Sequence, residues 1–467
     1  MVKTIRLLEP DAGPIGAPDA PMARQVLRLA GPVLVEQALL YLVTLSDTIL
    51  TGRYFSEEHL AGVTVAGYLL WFLGSLLTLV SVGGTALVAR MVGAGERDQA
   101  ARITQQALAM GLLLGCLTLA VGWGGAPALV RVLNLTGLSA TTAVLFLRIV
   151  LTITPLLACT TVGVACLRGS GDTKTGMWVM VLVNAINVGL SWSLVQGFGP
   201  FPKLGFAGIA IGTACGEGVG GLVVLAVLAR GRSGLRLELK GLVPIGRDVR
   251  RILRISLPAT GESLTNILCQ LWFLSLINRL GAVATAAHGV AIRCEAIAFL
   301  TVMAFAVAAS TLTGQYLGAK RPDLAARAVR TAWALGVVVM IGIGVLVYTQ
   351  AGPMFALFLG GHKPMVAAEG VPVLRVVAFA LPALATIIVL SGALRGAGDT
   401  RWPWLFALLG YLLVRLPLTY WLATPESQGG LGWGLYGAWV AMFADLHVRA
   451  ALIAARFLQG GWRQARV

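Results

Sequence analysis

Apolar runs of about 20–28 residues, bounded by Gly, Pro or charge, recur along this chain, and a run of that length is what an α-helix needs to cross a bilayer. They predict helices near 27–51, 60–89, 102–126, 141–165, 176–199 and 205–230. A second set is expected near 253–278, 284–314, 328–351, 368–394, 403–424 and 432–458. With 57% of 467 residues hydrophobic and 12% charged, the chain is too apolar for a soluble protein of its length. The expected fold is an all-α integral membrane protein, twelve transmembrane helices in two six-helix pseudo-symmetric lobes around a central cleft. Its expected division is a tail over 1–26, a first lobe over 27–230, a linker over 231–252, a second lobe over 253–458 and a tail over 459–467.

Four stretches show that the halves are copies. Leu27-Arg-Leu-Ala-Gly-Pro-Val-Leu-Val-Glu36 matches Leu253-Arg-Ile-Ser-Leu-Pro-Ala-Thr-Gly-Glu262, which pairs Pro32 with Pro258 and Glu36 with Glu262. TALVARMVGAGERDQAAR from Thr85 matches STLTGQYLGAKRPDLAAR from Ser310, and Leu147, Arg148 and Pro155 match Leu374, Arg375 and Pro382. LRGSGDTK from Leu167 recurs as LRGAGDTR from Leu394, so the offsets are 226, 225, 227 and 227 residues and almost no insertion separates the copies. Six spans per half is an even number, so both copies enter the membrane from the same side. Repeats related in this way build the lobes of many secondary transporters.

The net charge of +16 is an orientation signal. Lys3, Arg6, Arg24, the 90–102 loop, Arg168, Lys174, the linker, the 320–330 loop, Arg395, Arg401 and the last arginines fall on one side of the predicted membrane. The other side offers little beyond Arg53, Arg131, Lys203, Arg279 and Lys363. By the positive-inside rule both termini are cytoplasmic, here at a plasma (inner) membrane, and a nucleic-acid partner is not expected. Residues 1–26 mix Pro, Gly, Asp and Arg without a compact apolar core, so they read as a cytoplasmic tail and not a cleavable signal. Cys116, Cys159, Cys166, Cys215, Cys269 and Cys294 fall singly in apolar segments and read as free thiols.

The stretch Pro32–Arg53 is long enough to span and yet carries Glu36 and Asp47. An acid near a bilayer centre costs roughly 2.5–3.5 kcal/mol on insertion scales, so it marks a functional position by default. Eleven residues make about three helical turns and about 16 Å of rise, placing both acids on one face at two depths. Tyr41 lies on the same polar side, with Gln37, Thr44 and Thr48. Asp47 is read as a desolvated carboxylate that loads and releases a proton, against a plainer reading in which it hydrogen-bonds Thr or backbone near a helix end. Asn184, Asn187 and Ser191 share a face of the fifth span, and Thr213 and Glu217 lie one turn apart on the sixth, where Gly205, Gly208 and Gly212 allow close helix approach. Glu262, Asn266 and Gln270 form a polar stripe on the seventh span; the rival reading has Glu36 and Glu262 bracing helices beside Arg28 and Arg254.

The Asp47-Thr-Ile and Gly52-Arg53 segment, the LVARMVGAG loop, the repeated LRGxGDT[KR], LPATGE and AAHGVAIRCEAIAF together resemble the multidrug and toxic compound extrusion (MATE) family. The resemblance covers about residues 27–455, and in length and span count it is closer to MATE transporters than to the longer lipid flippases of the superfamily. It implies an essential first-helix Asp, which Asp47 matches, joined by a fifth-span Asn and a sixth-span Thr, which Asn187 and Thr213 match. Ser191 stands where relatives carry a second Asp, a departure that favours H⁺ over Na⁺. Glu217 supplies a replacement charge that keeps Na⁺ open. The same resemblance assigns substrate or ion contact to a seventh-helix Glu, here Glu262.

Other polar groups read as structural. Asp172 and Asp399 suit helix caps, and no phosphate-loop signature accompanies their glycines. Arg293 and Glu295, with His288, read as a buried ion pair; Arg148, Arg375 and Arg415 as snorkelling or cross-helix pairs; Asp445, His447 and Arg449 as a local charge cluster with no role assigned. Tyr41, Tyr68, Trp71, Met180, Trp272, Phe273, Met303 and Phe305 are candidates to line an amphiphile cavity. The function expected is a secondary antiporter that exports cationic or amphipathic organic compounds for H⁺. Alternatives are Na⁺ coupling or a lipid or anionic-metabolite cargo. No cofactor, metal or enzymatic step is expected, the lipid bilayer is the surroundings, and a monomer suffices.

Overall fold

The computed structural model describes residues 21–133, 135–359 and 363–465, and among those residues it contains helices and turns but no strand. In chain order the first half comprises α1 (Met22–Tyr54), α2 (Glu57–Leu76), α3 (Thr78–Gly93), α4 (Arg97–Val132), α5 (Gly137–Leu151), α6 (Thr154–Ser170), α7 (Thr173–Gln196) and α8 (Phe206–Ala229). The second half comprises α9 (Gly246–Arg279), α10 (Ala282–Gly318), α11 (Pro322–Leu359), α12 (Pro364–Ala397), α13 (Arg401–Ala423) and α14 (Gly434–Gln459). The twelve expected spans correspond to α1, α2 with α3, α4, α5 with α6, and each later helix singly. Ten described helices are long and apolar enough to cross a membrane, or eleven when α5 and α6 count as one span. The seventh expected span, on α9, is not among them, because Glu262, Asn266 and Gln270 dilute its apolar run. It begins at Gly246, earlier than the expected 253, so the end of the basic linker is already helical.

The chain divides into two compact units, one built on Gly31–Ser256 with Gly318–Lys320, the other on Leu257–Leu317 with the residues after Arg321 and the short stretch before Gly31. Within the first, Phe146, Leu147, Leu151 and Ile209 are part of a buried apolar core. Leu113, Val121, Leu346, Phe379 and Leu413 are exposed. In a membrane protein such side chains meet hydrocarbon instead of water.

The copies differ in how they treat their shared proline. Between α5 and α6 the chain bends by 60° just before Pro155, whereas α12 runs through Pro382. The sequence around the bend is Thr152-Ile153-Thr154, against Phe379-Ala380-Leu381 in the copy. Pro155 has no N–H to close a helical turn, and the Thr154 hydroxyl donates to Leu151 O (2.7 Å) while Thr152 donates to Ile149 O (2.6 Å). The hydroxyls hold the carbonyls that the break releases.

The repeated LRGxGDT segments explain why that motif was kept twice. Gly171 and Gly398 adopt φ of +96° and +86° and end α6 and α12 in the left-handed conformation that L side chains resist. Asp172 then caps α7, accepting from Thr175 N at 3.0 Å, and also accepts from Arg232 Nε at 2.7 Å. Asp399 accepts from Arg456 Nη2 at 2.7 Å. The motif arginine reaches the other way: Arg168 pairs with Glu36 on α1, and Arg395 Nη2 lies 2.9 Å from Glu262 Oε1 on α9. Each unit thus ties its first, fourth and fifth spans, and the end of its sixth, at one place.

The linker is docked on its own unit. Gln106, fully buried on α4, donates to Gly241 O and Val243 O and accepts from Ile245 N, and Arg102 Nε lies 2.9 Å from Asp248 Oδ2.

Candidate functional site

Two glycines set the distance at which α7 and α8 pack. A Cβ at Gly216 would meet Val183 O at 2.8 Å, and one at Gly212 would collide with Ser191. Without side chains there the helices approach closely enough for Asn187 Nδ2 to lie 2.9 Å from Thr213 Oγ1.

Asp47 on α1 completes this pair. Its Oδ2 accepts from Thr213 Oγ1 at 2.7 Å and its Oδ1 from Asn187 Nδ2 at 3.2 Å. Asn187 Oδ1 in turn accepts from Ser46 Oγ at 2.8 Å. Asp47 is 4% exposed, and Asn187 is fully buried. Three of the expected ion-coupling residues therefore meet, together with Ser46, which the sequence reading did not single out. Its adjacency to Asp47 on a polar helix face was the available signal.

Glu217 is buried one turn beyond Thr213, close enough to Asp47 for the two charges to interact, and it makes no hydrogen bond among the described residues. Asn184 does not reach Asp47. Its amide donates to Leu39 O (3.0 Å) and Met180 O (2.8 Å), which fastens α7 to α1 at another level and leaves Asn184 Oδ1 buried without a partner. Ser191 is taken up by the α7–α8 contact, donating to Ile209 O at 3.3 Å.

The other acids are arranged differently. Among the described residues five acids are buried: Glu36, Asp47, Glu217, Asp248 and Asp445. Glu36 pairs with Arg168, Asp248 with Arg102, and Asp445 with both Arg415 and Arg449, whereas Asp47 and Glu217 have no cationic partner. That contrast decides where a proton can be exchanged. Protonating Glu36 would leave the Arg168 charge facing a neutral acid. Protonating Asp47 removes a charge and leaves behind only neutral donors.

The residues expected to contact substrate do not gather around Asp47. Tyr41 is 38% exposed. Glu36 and Glu262 sit in the ion pairs described above, and their partners are Arg168 and Arg395, not the expected Arg28 and Arg254. Asn266 accepts from Tyr411 OH at 2.7 Å, and Gln270 makes no hydrogen bond among the described residues. Of the candidate cavity residues, Met180, Phe273 and Phe305 are buried while Tyr68 and Trp71 are exposed.

One further expectation needs correction. Arg293 and Glu295 do not pair: Arg293 is exposed and Glu295 half-buried, and residues two apart on a helix leave in nearly opposite directions. Arg148 and Arg375 pair across helices, the second of the two readings given them, by lying over aromatic rings of the preceding span, Trp123 at 4.9 Å and Tyr348 at 5.6 Å, at matching places in the two copies.

A family model described as MatE matches residues 32–193 and 258–421, one match in each half. The chain is 28% identical over 447 residues to the probable multidrug resistance protein NorM of Thermotoga maritima, covering 95% of this chain and 94% of that one. It is 25% identical over 439 residues to the uncharacterized transporter YisQ of Bacillus subtilis, covering 93% and 94%. Its fold matches the outward-facing conformation of a multidrug resistance MATE family transporter of the MOP superfamily with a TM-score of 0.87 at 19% identity, covering 96% and 98%. It also matches a MOP superfamily transporter from Pyrococcus furiosus, TM-score 0.87 at 20% identity with the same coverage, for which a binding pocket of reversed polarity suggests a different function.

Proposed function

The chain belongs to the MatE family of multi-pass multidrug transporters, which are not enzymes, and on that premise we propose that it exports cationic or amphipathic organic compounds in exchange for H⁺. The observation that carries the reading is the Asp47 site: a buried carboxylate held by one hydroxyl and one amide, with no guanidinium or ammonium against it. A proton satisfies such a group alone, whereas Na⁺ in an apolar setting calls for several oxygen ligands.

Antiport then follows from competition. A proton on Asp47 and a cationic cargo both relieve the same uncompensated charge, so each favours the state from which the other has left. A conformational equilibrium moves only by as much as a ligand distinguishes its states, and a change of one full charge in a buried site distinguishes them strongly. The placement of basic loops supports an orientation in the plasma (inner) membrane with both termini cytoplasmic. One chain carries the whole site, which supports a monomer as the working unit.

A specific observation favours a second reading. Glu217 stands beside Asp47 without a cation of its own, and two carboxylates with Asn187 and Thr213 supply an oxygen set suited to Na⁺. Proteoliposomes loaded with a fluorescent organic cation separate the two when H⁺ and Na⁺ gradients are imposed one at a time. Efflux driven by the H⁺ gradient and indifferent to Na⁺ at fixed pH is the expected result. Na⁺-driven efflux at fixed pH that is lost in Glu217→Gln would replace H⁺ with Na⁺ as the coupling ion.

A further inference from the structure

The second unit has a buried charge centre that the repeat did not supply. Arg415, Asp445 and Arg449 are 3%, 0% and 7% exposed, with Arg415 Nε 3.2 Å and Arg449 Nη2 2.8 Å from the same Asp445 Oδ2. At the repeat offset of 227 residues their counterparts are Val188, Gly218 and Leu222. The centre is therefore particular to this half.

Its construction uses an unusual helix turn. Gly410–Arg415 in α13 winds as a π-helix, a form that recurs at functional positions, and that turn delivers both Tyr411 and Arg415 to the centre. Gly410 makes room for it, since a Cβ there would lie 2.6 Å from Arg449 Cδ. The guanidiniums stack on Tyr411, at 4.4 Å for Arg449 and 5.2 Å for Arg415, and Arg415 also lies 5.5 Å over Phe273. Phe273 continues through His288 (5.8 Å) to Trp439 (5.4 Å from His288), both buried.

Charge and hydrogen bonding are both out of balance there. Two guanidiniums share one carboxylate, which leaves one positive charge in surplus in an apolar unit. Arg449 Nε and Trp439 Nε1 are buried donors without a hydrogen-bond partner, and His288 Nδ1 is also unpartnered; Arg415 Nε faces Asp445 Oδ2 at 3.2 Å without the alignment of a hydrogen bond, and the unmatched acceptor on the centre's own carboxylate is Asp445 Oδ1. Cys269 and the half-buried Glu295 are the remaining ionisable side chains that feel these charges, and Glu295 makes no ion pair or hydrogen bond among the described residues. A buried surplus of cationic donors favours an anionic ligand.

We propose that the second unit binds a small monovalent anion, of the halide or carboxylate class, at the Arg415–Arg449 pair. The anion takes the surplus charge and competes with Glu295 for Arg415. The inference does not depend on proton coupling at Asp47, because it concerns residues of the other unit and is read by binding alone.

The test is thermal unfolding of the purified full-length protein at fixed pH and ionic strength, with chloride replaced stepwise by methanesulfonate, which is neither a halide nor a carboxylate, and acetate replaced in the same way in a parallel series. A saturable rise in Tm with chloride or acetate is expected; chloride alone assigns a halide, and acetate as well assigns the carboxylate class. Arg415→Gln leaves a neutral Arg449–Asp445 pair, so the protein keeps its fold and the anion response disappears. Glu295→Gln removes the competing carboxylate and lowers the half-saturating concentration by about tenfold, a change in the opposite direction to any loss of folding. A Tm indifferent to the anion in wild type, or a response that survives Arg415→Gln, overturns the proposal and leaves the unmatched donors to water.

Discussion

Asp47→Asn is expected to reduce export driven by a proton gradient to the background of empty vesicles while leaving the protein folded. The side chains are nearly isosteric, and an amide at 47 still accepts from Thr213 through its oxygen. Its NH₂ would face Asn187 Nδ2, but turning the Asn187 amide over offers that group an oxygen and leaves an NH₂ for the Ser46 hydroxyl to accept. The exchange gives up the hydrogen bond from Asn187 Nδ2 to Thr213 Oγ1, so unfolding stability should fall by about 1 kcal/mol. What is lost is the only feature an amide cannot copy, a group that gains and loses a proton. Transport assays paired with unfolding of the same preparation check both halves of the claim. Proton-driven export that persists at wild-type rate in a folded Asp47→Asn protein would remove Asp47 from the coupling machinery.

A comparably large effect is expected on stability at Arg168. Glu36 is 5% exposed, and Arg168→Ala strands its carboxylate; breaking a buried pair by removing one partner costs about 3–5 kcal/mol. The equivalent Arg395→Ala should cost distinctly less, because the Glu262 side chain is 15% exposed and Arg395 29%, against 7% and 19% for Glu36 and Arg168. Replacing both members, as Glu36→Gln with Arg168→Gln, should recover most of the loss, since a buried neutral pair pays no charge desolvation. Denaturant unfolding in detergent checks the order. Equal losses at Arg168 and Arg395, or a double variant no better than Arg168→Ala, would mean that the motif arginines act through something other than these pairs.

The repeat carried most of what the sequence could say about the fold. Once LRGSGDTK and LRGAGDTR are aligned, Gly171 and Gly398 follow as helix ends and Asp172 as a helix cap, because each residue type is nearly dictated by its local backbone; Asp399, expected as the second cap, makes no capping bond to α13 and instead accepts from Arg456. The ion pairs of the same motif were less legible. Arg168 and Glu36 lie 132 residues apart, and only the matching separation of Arg395 from Glu262, 133 residues, hinted that they meet. Asp47 came forward because an acid in an apolar run is costly, and the resemblance to MATE transporters, not spacing, implied that Asn187 and Thr213 join it. Asn184 was drawn in with them by helical spacing. Spacing gives the face but not the neighbour, and its amide binds the backbone of α1 instead. Asp445 and Arg449 were legible as a local charge cluster, but the arrival of Arg415 was not: the turn that brings it there is a local departure from α-helical spacing, so a 3.6-residue period misplaces the side chain.

The most direct test of the central claim is the proton released when cargo binds. The purified protein in weakly buffered detergent solution, with a pH-sensitive dye, is mixed with an organic cation at a pH where export is active. If cargo and proton compete for the Asp47 site, wild type releases protons on binding, up to about one per cation bound, and Asp47→Asn binds the cation with no release. The same release from both proteins would show that the exchanged proton sits elsewhere, and Asp47 would lose its place at the centre of the mechanism.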